Sequence, residues 1–262
     1  MTGPPSQLPL ALLALLQPDA RGLARVREAL RSHHELLACA TWEDLLGAVA
    51  DLPIQGCIID AYSPSSSISD ENLRELAGIK QGVAILVYSD FARRESELFR
   101  LGQQQVDAII MADFEDNTWQ IQQATARALS AAVATHLGSR LSNTISGIQL
   151  EALLWATEHA LVQPRVEDLA RAMGLSPWRL ARALPNSGLS SAREVLLWGR
   201  LFQAGRLLTE PRTTVEDVAF RLGYSSDSAL RRALRSRVGL APTEVIERGG
   251  LACVLDAFLK GR

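Results

Sequence analysis

Arg179 and Arg182 lie just beyond Gly174, and Arg231, Arg232, Arg235 and Arg237 lie just beyond Gly223. A guanidinium carries five donors in a planar fork that matches the acceptor pair on a guanine edge or the oxygens of a phosphate. On a helix that follows a turn, those that remain exposed can face such a partner. In the first half of the chain, Asp60 and Ser89 end two apolar runs, a carboxylate and a hydroxyl of the kind that accept or steady a phosphoryl group. Other chemistries lack their residues. There is no glycine-rich phosphate loop, no Gly-x-Ser-x-Gly elbow and no spaced histidine pair, since His33 and His34 adjoin at a helix end and diverge while His136 and His159 stand alone. Cys39, Cys57 and Cys253 are an odd, scattered set without a Cys-x-x-Cys pair, which reads as small core residues and not as a disulfide framework or zinc site. The chain is therefore not read as an enzyme, and no cofactor or metal is expected.

The elements that must position these side chains fall into two halves. A chain of 262 residues, 47% hydrophobic and 21% charged, has the size and composition for two domains with separate cores. Residues 1–146 hold 11 Lys+Arg against 17 Asp+Glu, a net of −6, and residues 147–262 hold 16 against 12, a net of +4. The basic half is the one suited to a polyanion. No run approaches the roughly 20 apolar residues of a membrane helix, and no basic residue precedes the short apolar stretch Leu8 to Leu16, so a cytoplasmic chain without a membrane partner is expected.

In the first half, Leu10 to Leu16, Leu36 to Ala40, Cys57 to Asp60, Val83 to Tyr88 and Val106 to Met111 read as strands. Ala20 to Arg31, Thr41 to Asp51, Asp70 to Ala77 and Phe91 to Leu101 read as helices between them. This alternation predicts a flavodoxin-like α/β domain with a five-stranded parallel sheet. A helix over Thr118 to Leu141 should close it. The polar stretch 139–147 then reads as a linker, giving a first domain over 1–138 and a second over 148–262. In the second, prolines and glycines cut the chain into short helices, which predicts an all-α domain.

The second half contains a repeat. Residues 166–176, VEDLARAMGLS, align with 215–225, VEDVAFRLGYS, at an offset of 49; Leu180, Arg182, Ala183 and Leu184 then align with Leu230, Arg232, Ala233 and Leu234 at an offset of 50. Glu167 and Asp168, like Glu216 and Asp217, place negative charge in a first helical turn, and Thr214 adds a side-chain cap. Ala170 and Ala219 permit a close helix crossing. Gly174 and Gly223 supply a left-handed turn. Leu169, Met173, Leu175 and Leu180, with Val218, Leu222, Tyr224 and Leu230, provide the shared mini-core. Two helix-turn-helix units over 166–184 and 215–237 follow.

These paired units, with the intervening helical stretch Ala192 to Leu208 and the closing run Gly239 to Glu244, resemble the DNA-binding domain of the AraC family over about residues 148–247. The resemblance implies seven helices, homeodomain-like in each unit, with a long middle helix that holds two recognition helices in successive major grooves of double-stranded DNA. By position, Trp178, Arg179, Ala181 and Arg182 would point outward from the first, and Asp227, Ser228, Ala229, Arg231 and Arg232 from the second. Arg182 and Arg232 are the foremost candidates for base edges, and Arg235 and Arg237 are candidates for phosphates; Ala181 and Ala229 touch a thymine methyl or nothing, and Trp178 is either an exposed contact residue or a core one. Each arginine also has the plainer reading of a solvated surface charge. Pro185 and Asn186 interrupt the first recognition helix, which should be the shorter.

The first domain resembles the receiver domain of two-component signalling in its element order, with Asp60 where the phosphate-accepting aspartate would stand. The acidic pair that would hold a divalent cation is replaced by Gln17-Pro18-Asp19, and the lysine-proline step by Met111 to Phe114. The expected reading is a transcription regulator with a degenerate receiver-like regulatory or dimerisation domain. A second copy through that domain and RNA polymerase are its candidate partners besides DNA. The alternatives are a protein adaptor whose units no longer touch DNA, and a phosphorylation-dependent regulator using Asp60.

Overall fold

The computed structural model describes residues 11–261 except 18, 53, 61, 64–65, 68, 80–81, 92–94, 103–105, 115, 146, 185–188 and 211–212. Two compact units divide at Ala132 and Val133.

The first unit, Leu10–Ala132, is the expected α/β domain. Its strands β1 (Ala11–Leu16), β2 (His34–Ala38), β3 (Ile54–Ile59), β6 (Ala84–Ser89) and β7 (Ala108–Met111) form one sheet in the order β2-β1-β3-β6-β7, every pair parallel. This is the doubly wound order in which the chain reverses direction across the sheet between β1 and β3. Alternation along β1 sends Ala14 and Leu16 to one face, where they pack with Leu45 and Val49 of α2 (Trp42–Asp51) and with Leu73 and Leu76 of α3 (Asp70–Ile79). Leu13 and Leu15 face the other way, onto Val26 and Leu30 of α1 (Ala20–Leu30) and Ile121, Ala128 and Leu129 of α5 (Thr118–Leu141). Burial on both faces explains why the inner strands β1 and β6 read as unbroken apolar runs, whereas β2 at the edge carries His34 and Glu35 and has no buried residue. Helix α4 (Glu95–Gly102) begins later than the expected Phe91, which is itself a buried coil residue. His34, expected at a helix end, starts β2 and pairs with Ala11. The two-residue strands β4 (Tyr62–Ser63) and β5 (Ser66–Ser67) had no apolar pattern to announce them.

The second unit begins inside α5 and not at a linker over 139–147. Val133, Leu137, Leu141 and Ile145 are buried in its core, while Ser142, Asn143 and Thr144 cover the outer side of the same stretch, so its polar residues mark a solvent face and not a loose connection. Helices α6 (Ile148–Glu158), α7 (Val166–Ala172), α8 (Pro177–Ala183), α9 (Ala192–Leu207), α10 (Val215–Arg221), α11 (Asp227–Arg237) and α12 (Pro242–Glu247) are the seven that the resemblance implied. An eighth, α13 (Leu251–Lys260), follows. Its Phe258 packs edge-on against Trp198 at 4.8 Å and Phe202 at 5.3 Å between ring centres, so α13 completes the cover over α9. The spacing of Leu251, Val254, Leu255 and Phe258 is the i, i+3, i+4, i+7 pattern of an amphipathic helix. Among the described residues no helix is long and apolar enough to cross a membrane.

Candidate nucleic-acid interface

The two repeats close their turns with the same hydrogen bonds. The N–H of Leu175 donates to the Ala170 carbonyl at 2.9 Å and that of Gly174 to Arg171 at 3.0 Å; Tyr224 donates to Ala219 at 2.9 Å and Gly223 to Phe220 at 3.0 Å. This is the Schellman arrangement, which needs a left-handed residue after the helix. Gly174 with φ 66° and Gly223 with φ 72° provide it. Next, Ser176 caps α8 by accepting from the Arg179 N–H at 3.3 Å, and Ser226 caps α11 by accepting from the Ala229 N–H at 3.2 Å. The step from an offset of 49 to one of 50 in the sequence is therefore one extra residue between Gly223 and the cap. Upstream, the Thr214 hydroxyl accepts from the Asp217 N–H while the Asp217 carboxylate accepts from the Thr214 N–H, a reciprocal capping box. In the first helix-turn-helix Asp168 accepts from the Arg165 N–H at 2.9 Å.

Leu180 of α8 and Leu184 just after it, and Leu230 and Leu234 of α11, are fully buried. At 100° per residue, the direction opposite these leucines falls on Trp178, Arg179 and Arg182 in α8 and on Ser228, Arg232 and Arg235 in α11. All six are exposed, as are Ala181, Arg231 and Arg237, whereas Asp227 and Ala229 are half-buried at the flank. Trp178 is 65% exposed and serves no core; the Arg182 guanidinium lies 4.9 Å from its ring centre. That stack restricts Arg182 before any partner arrives. In α11, Arg231 pairs with Asp227 at 3.2 Å and Arg237 reaches Glu194 of α9 at 3.0 Å. Hydrogen bonds from Arg231 and from Ser228 hold the Asp227 carboxyl below its ordinary range. Among the described residues Arg179, Arg232 and Arg235 have no acidic partner, so their donors remain available. Helix α8 has seven residues against eleven in α11 and ends at Ala183; Pro185 and Asn186 lie outside the described residues.

The sequence did not announce how the two helix-turn-helix repeats touch within the C-terminal unit. Gln163, at φ 55°, donates to the Phe220 carbonyl at 3.4 Å, and a Cβ on Gly223 would stand 2.7 Å from the Gln163 side chain. Gly174 has open space at the same position. Gly223→Val is expected to destabilise the C-terminal unit by roughly 1 to 3 kcal/mol, from strain at a left-handed backbone that a β-branched residue resists and from displacement of the Gln163 side chain. Gly174→Val should cost less, because only the strain applies. Denaturant titration of both variants ranks them, and equal costs would show that the Gln163 contact is irrelevant.

At the C-terminal edge of the sheet, the structure does bring Asp60 and Ser89 together. The Ser89 hydroxyl donates to Asp60 Oδ1 at 2.5 Å, and both residues are buried. The positions that would hold a cation are engaged otherwise: Gln17 Nε2 donates to the Tyr88 carbonyl at 3.1 Å, and Asp19 caps α1 by accepting from the Gly22 N–H at 2.6 Å. Among the described residues no group of three or more His, Cys, Asp or Glu is placed to hold a metal. Where the lysine would stand, Asp113 and Asp116 instead bind Arg25, and the Tyr88 hydroxyl donates to Asp116 at 2.9 Å. Burial and then Asp116 push Tyr88 up to about 12. Burial works against the Asp116 charge, but the Asp113 N–H, Tyr88 and Arg25 outweigh it and hold its carboxyl below the ordinary value. A depressed carboxylate stabilises the fold fully above its unfolded value near pH 4, and that contribution disappears as pH falls through the lower folded value. Wild type should therefore lose more thermal stability between pH 6 and pH 3 than Asp116→Asn, as differential scanning fluorimetry of the two proteins would show; parallel curves would contradict it.

Residues 169–248 match the family model described as a helix-turn-helix domain. Over 90 residues, 34% of this chain and 26% of theirs, the sequence is 32% identical to the HTH-type transcriptional regulator VirS of two Mycobacterium tuberculosis strains, CDC 1551 / Oshkosh and ATCC 25618 / H37Rv. The chain thus spans about a quarter of the length of the curated relatives it matches. Similar solved structures include a CheY-like response regulator receiver domain protein from Methanospirillum hungatei JF-1, with 18% identity, a TM-score of 0.40 and coverage of 47% of this chain and 96% of that one. Another is full-length FixJ from B. japonicum, with 16% identity, a TM-score of 0.34 and coverage of 86% and 96%. The sheet order already described, and not these scores, defines the first unit's fold.

Proposed function

We propose that this chain, whose C-terminal unit carries an AraC-type helix-turn-helix domain, is a sequence-specific DNA-binding transcription regulator that places α8 and α11 in successive major grooves. The observation that carries the reading is the duplicated turn and cap geometry, which sets Arg182 and Arg232 at the same outward position of two helices. On this reading Arg182 and Arg232 address base edges, with Trp178, Arg179, Ala181, Ser228 and Ala229 beside them. Arg235 meets phosphate, and Arg237 does so once released from Glu194. Asp227 steadies Arg231 through its ion pair. The α/β unit is a receiver-like regulatory or dimerisation domain; a second copy of the chain and RNA polymerase are the further partners proposed.

Base and phosphate contacts respond differently to sequence and salt. Arg232→Ala is expected to weaken specific binding by about 1 to 3 kcal/mol and to relax preference at one or two base pairs. Arg235→Ala should weaken all sequences alike and reduce the slope of log affinity against log salt by about one. Fluorescence anisotropy titrations at several salt concentrations separate the two. If Arg232→Ala leaves the preference intact, the assignment of the base-reading face is wrong.

A further inference from the structure

A chain of buried polar contacts runs through the C-terminal unit and joins the scaffold of the first helix-turn-helix to the second. The Thr157 carbonyl of α6 accepts from Gln203 Nε2 at 3.0 Å; Gln203 Oε1 accepts from Arg206 Nε at 3.0 Å. Arg206 Nη1 donates to Glu210 Oε1 at 2.5 Å, and Glu210 Oε2 accepts from Arg221 Nη1 of α10 at 2.7 Å. Gln203, Arg206 and Glu210 are buried, and the Arg221 side chain is 36% exposed.

This chain is poorly made as a stabilising device. Among the described residues Arg206 Nη2 is buried without a hydrogen-bond partner, so the protein groups described offset the cost of removing the guanidinium from water only in part. Apolar side chains of similar size in such places are often as stable or more so. What the contacts add is direction. Apolar packing of the seven-residue α10 on α9 tolerates small rotations, whereas charge-assisted hydrogen bonds hold only over a narrow range of distance and angle. The chain ends on α10, which leads through the Gly223 turn into α11.

We infer that Arg206 and Glu210 are positioning residues that fix the orientation of α11 relative to α8, and thereby the phase at which the two recognition helices meet DNA. The inference rests on the DNA-binding reading for its consequence, but its geometry is testable without DNA. Nitroxide labels at exposed Ala183 and Ser236, attached by chemistry that spares Cys39, Cys57 and Cys253, report the distance between α8 and α11 in the full chain. Wild type should give a narrow distribution. The double variant Arg206→Met with Glu210→Leu should broaden it while retaining helical content, and Arg221→Met, which leaves the buried Arg206 and Glu210 pair intact, should broaden it by cutting the α10 end alone. On DNA bearing two half-sites both variants should lose about tenfold in affinity and tolerate one-base-pair changes in spacing, with affinity for a single half-site unchanged. Should the double variant not fold, Arg221→Met decides. A distribution as narrow as wild type in the folded variants overturns the inference. Broadened distances in a protein whose wild type shows no DNA sequence preference would instead defeat the DNA-binding reading and leave the positioning role standing.

Discussion

Inserting five base pairs between the two half-sites should reduce the affinity of the full chain by about 100-fold, equivalent to about 2.7 kcal/mol. Two recognition helices held on one connecting helix enter major grooves on the same side of the duplex, about 10 to 10.5 base pairs apart. Half a turn of extra DNA carries one groove to the opposite face, where a helix on the same domain cannot reach it. A ten-base-pair insertion restores the face but not the distance. The affinity that remains should follow the half-site of α11, which presents eleven residues to the seven of α8 and keeps Arg232 and Arg235 free of acidic partners among the described residues. The half-sites need not be palindromic, since Trp178 in one helix stands where Ser228 does in the other. Titration against the three spacings measures this, and equal affinity for all of them would remove the two-groove arrangement.

Gly199→Val should cost about 3 kcal/mol or more of stability in the C-terminal unit and abolish DNA binding with it, the upper end of what overpacking a core costs. A Cβ at this position would lie 2.6 Å from the Ala156 carbonyl carbon, 2.7 Å from its oxygen and 2.9 Å from the Thr157 nitrogen. These are backbone atoms of α6, so relief requires α9 and α6 to separate, opening the core that Leu153, Leu201 and Phe202 fill. Gly47 of α2 meets nothing within 4 Å and is a fair control: Gly47→Ala should be neutral or stabilising by roughly 0.5 to 1 kcal/mol. Urea titration of both variants provides the comparison. A Gly199→Val protein as stable as wild type would mean that α6 and α9 do not pack as described.

The parallel sheet was legible because each strand is a short apolar run bounded by turn residues, and the two helix-turn-helix units because their glycines and capping residues recur in register. Local signals of this kind survive in a single sequence. Contacts between distant residues do not. Nothing in the chain near Arg237 shows that Glu194 will bind it, nor does the row Gln203, Arg206, Glu210 look different from the polar side of an exposed helix until α6 and α10 close over it. The boundary of the units is masked in the sequence for a related reason. Serines over 139–147 suggested a linker, but the apolar Leu141 and Ile145 among them face a core that the rest of the C-terminal unit supplies. Helix α13 carries a legible apolar spacing of its own at Leu251, Val254, Leu255 and Phe258, beyond the duplicated segment. At the sheet edge the sequence placed Asp60 and Ser89 correctly at neighbouring strand ends, and it showed from Gln17 and Asp113 that the surrounding groups differ from those of a phosphorylated receiver.

Selection of bound duplexes from a random DNA library by the full chain at moderate salt bears most directly on the central claim. The account predicts enrichment of a bipartite, asymmetric sequence whose two conserved cores lie about 10 to 10.5 base pairs apart, with the stronger core lost in Arg232→Ala. Recovery of no shared sequence, even at low salt where phosphate contacts are strongest, would contradict it and favour an adaptor whose helix-turn-helix units no longer read DNA.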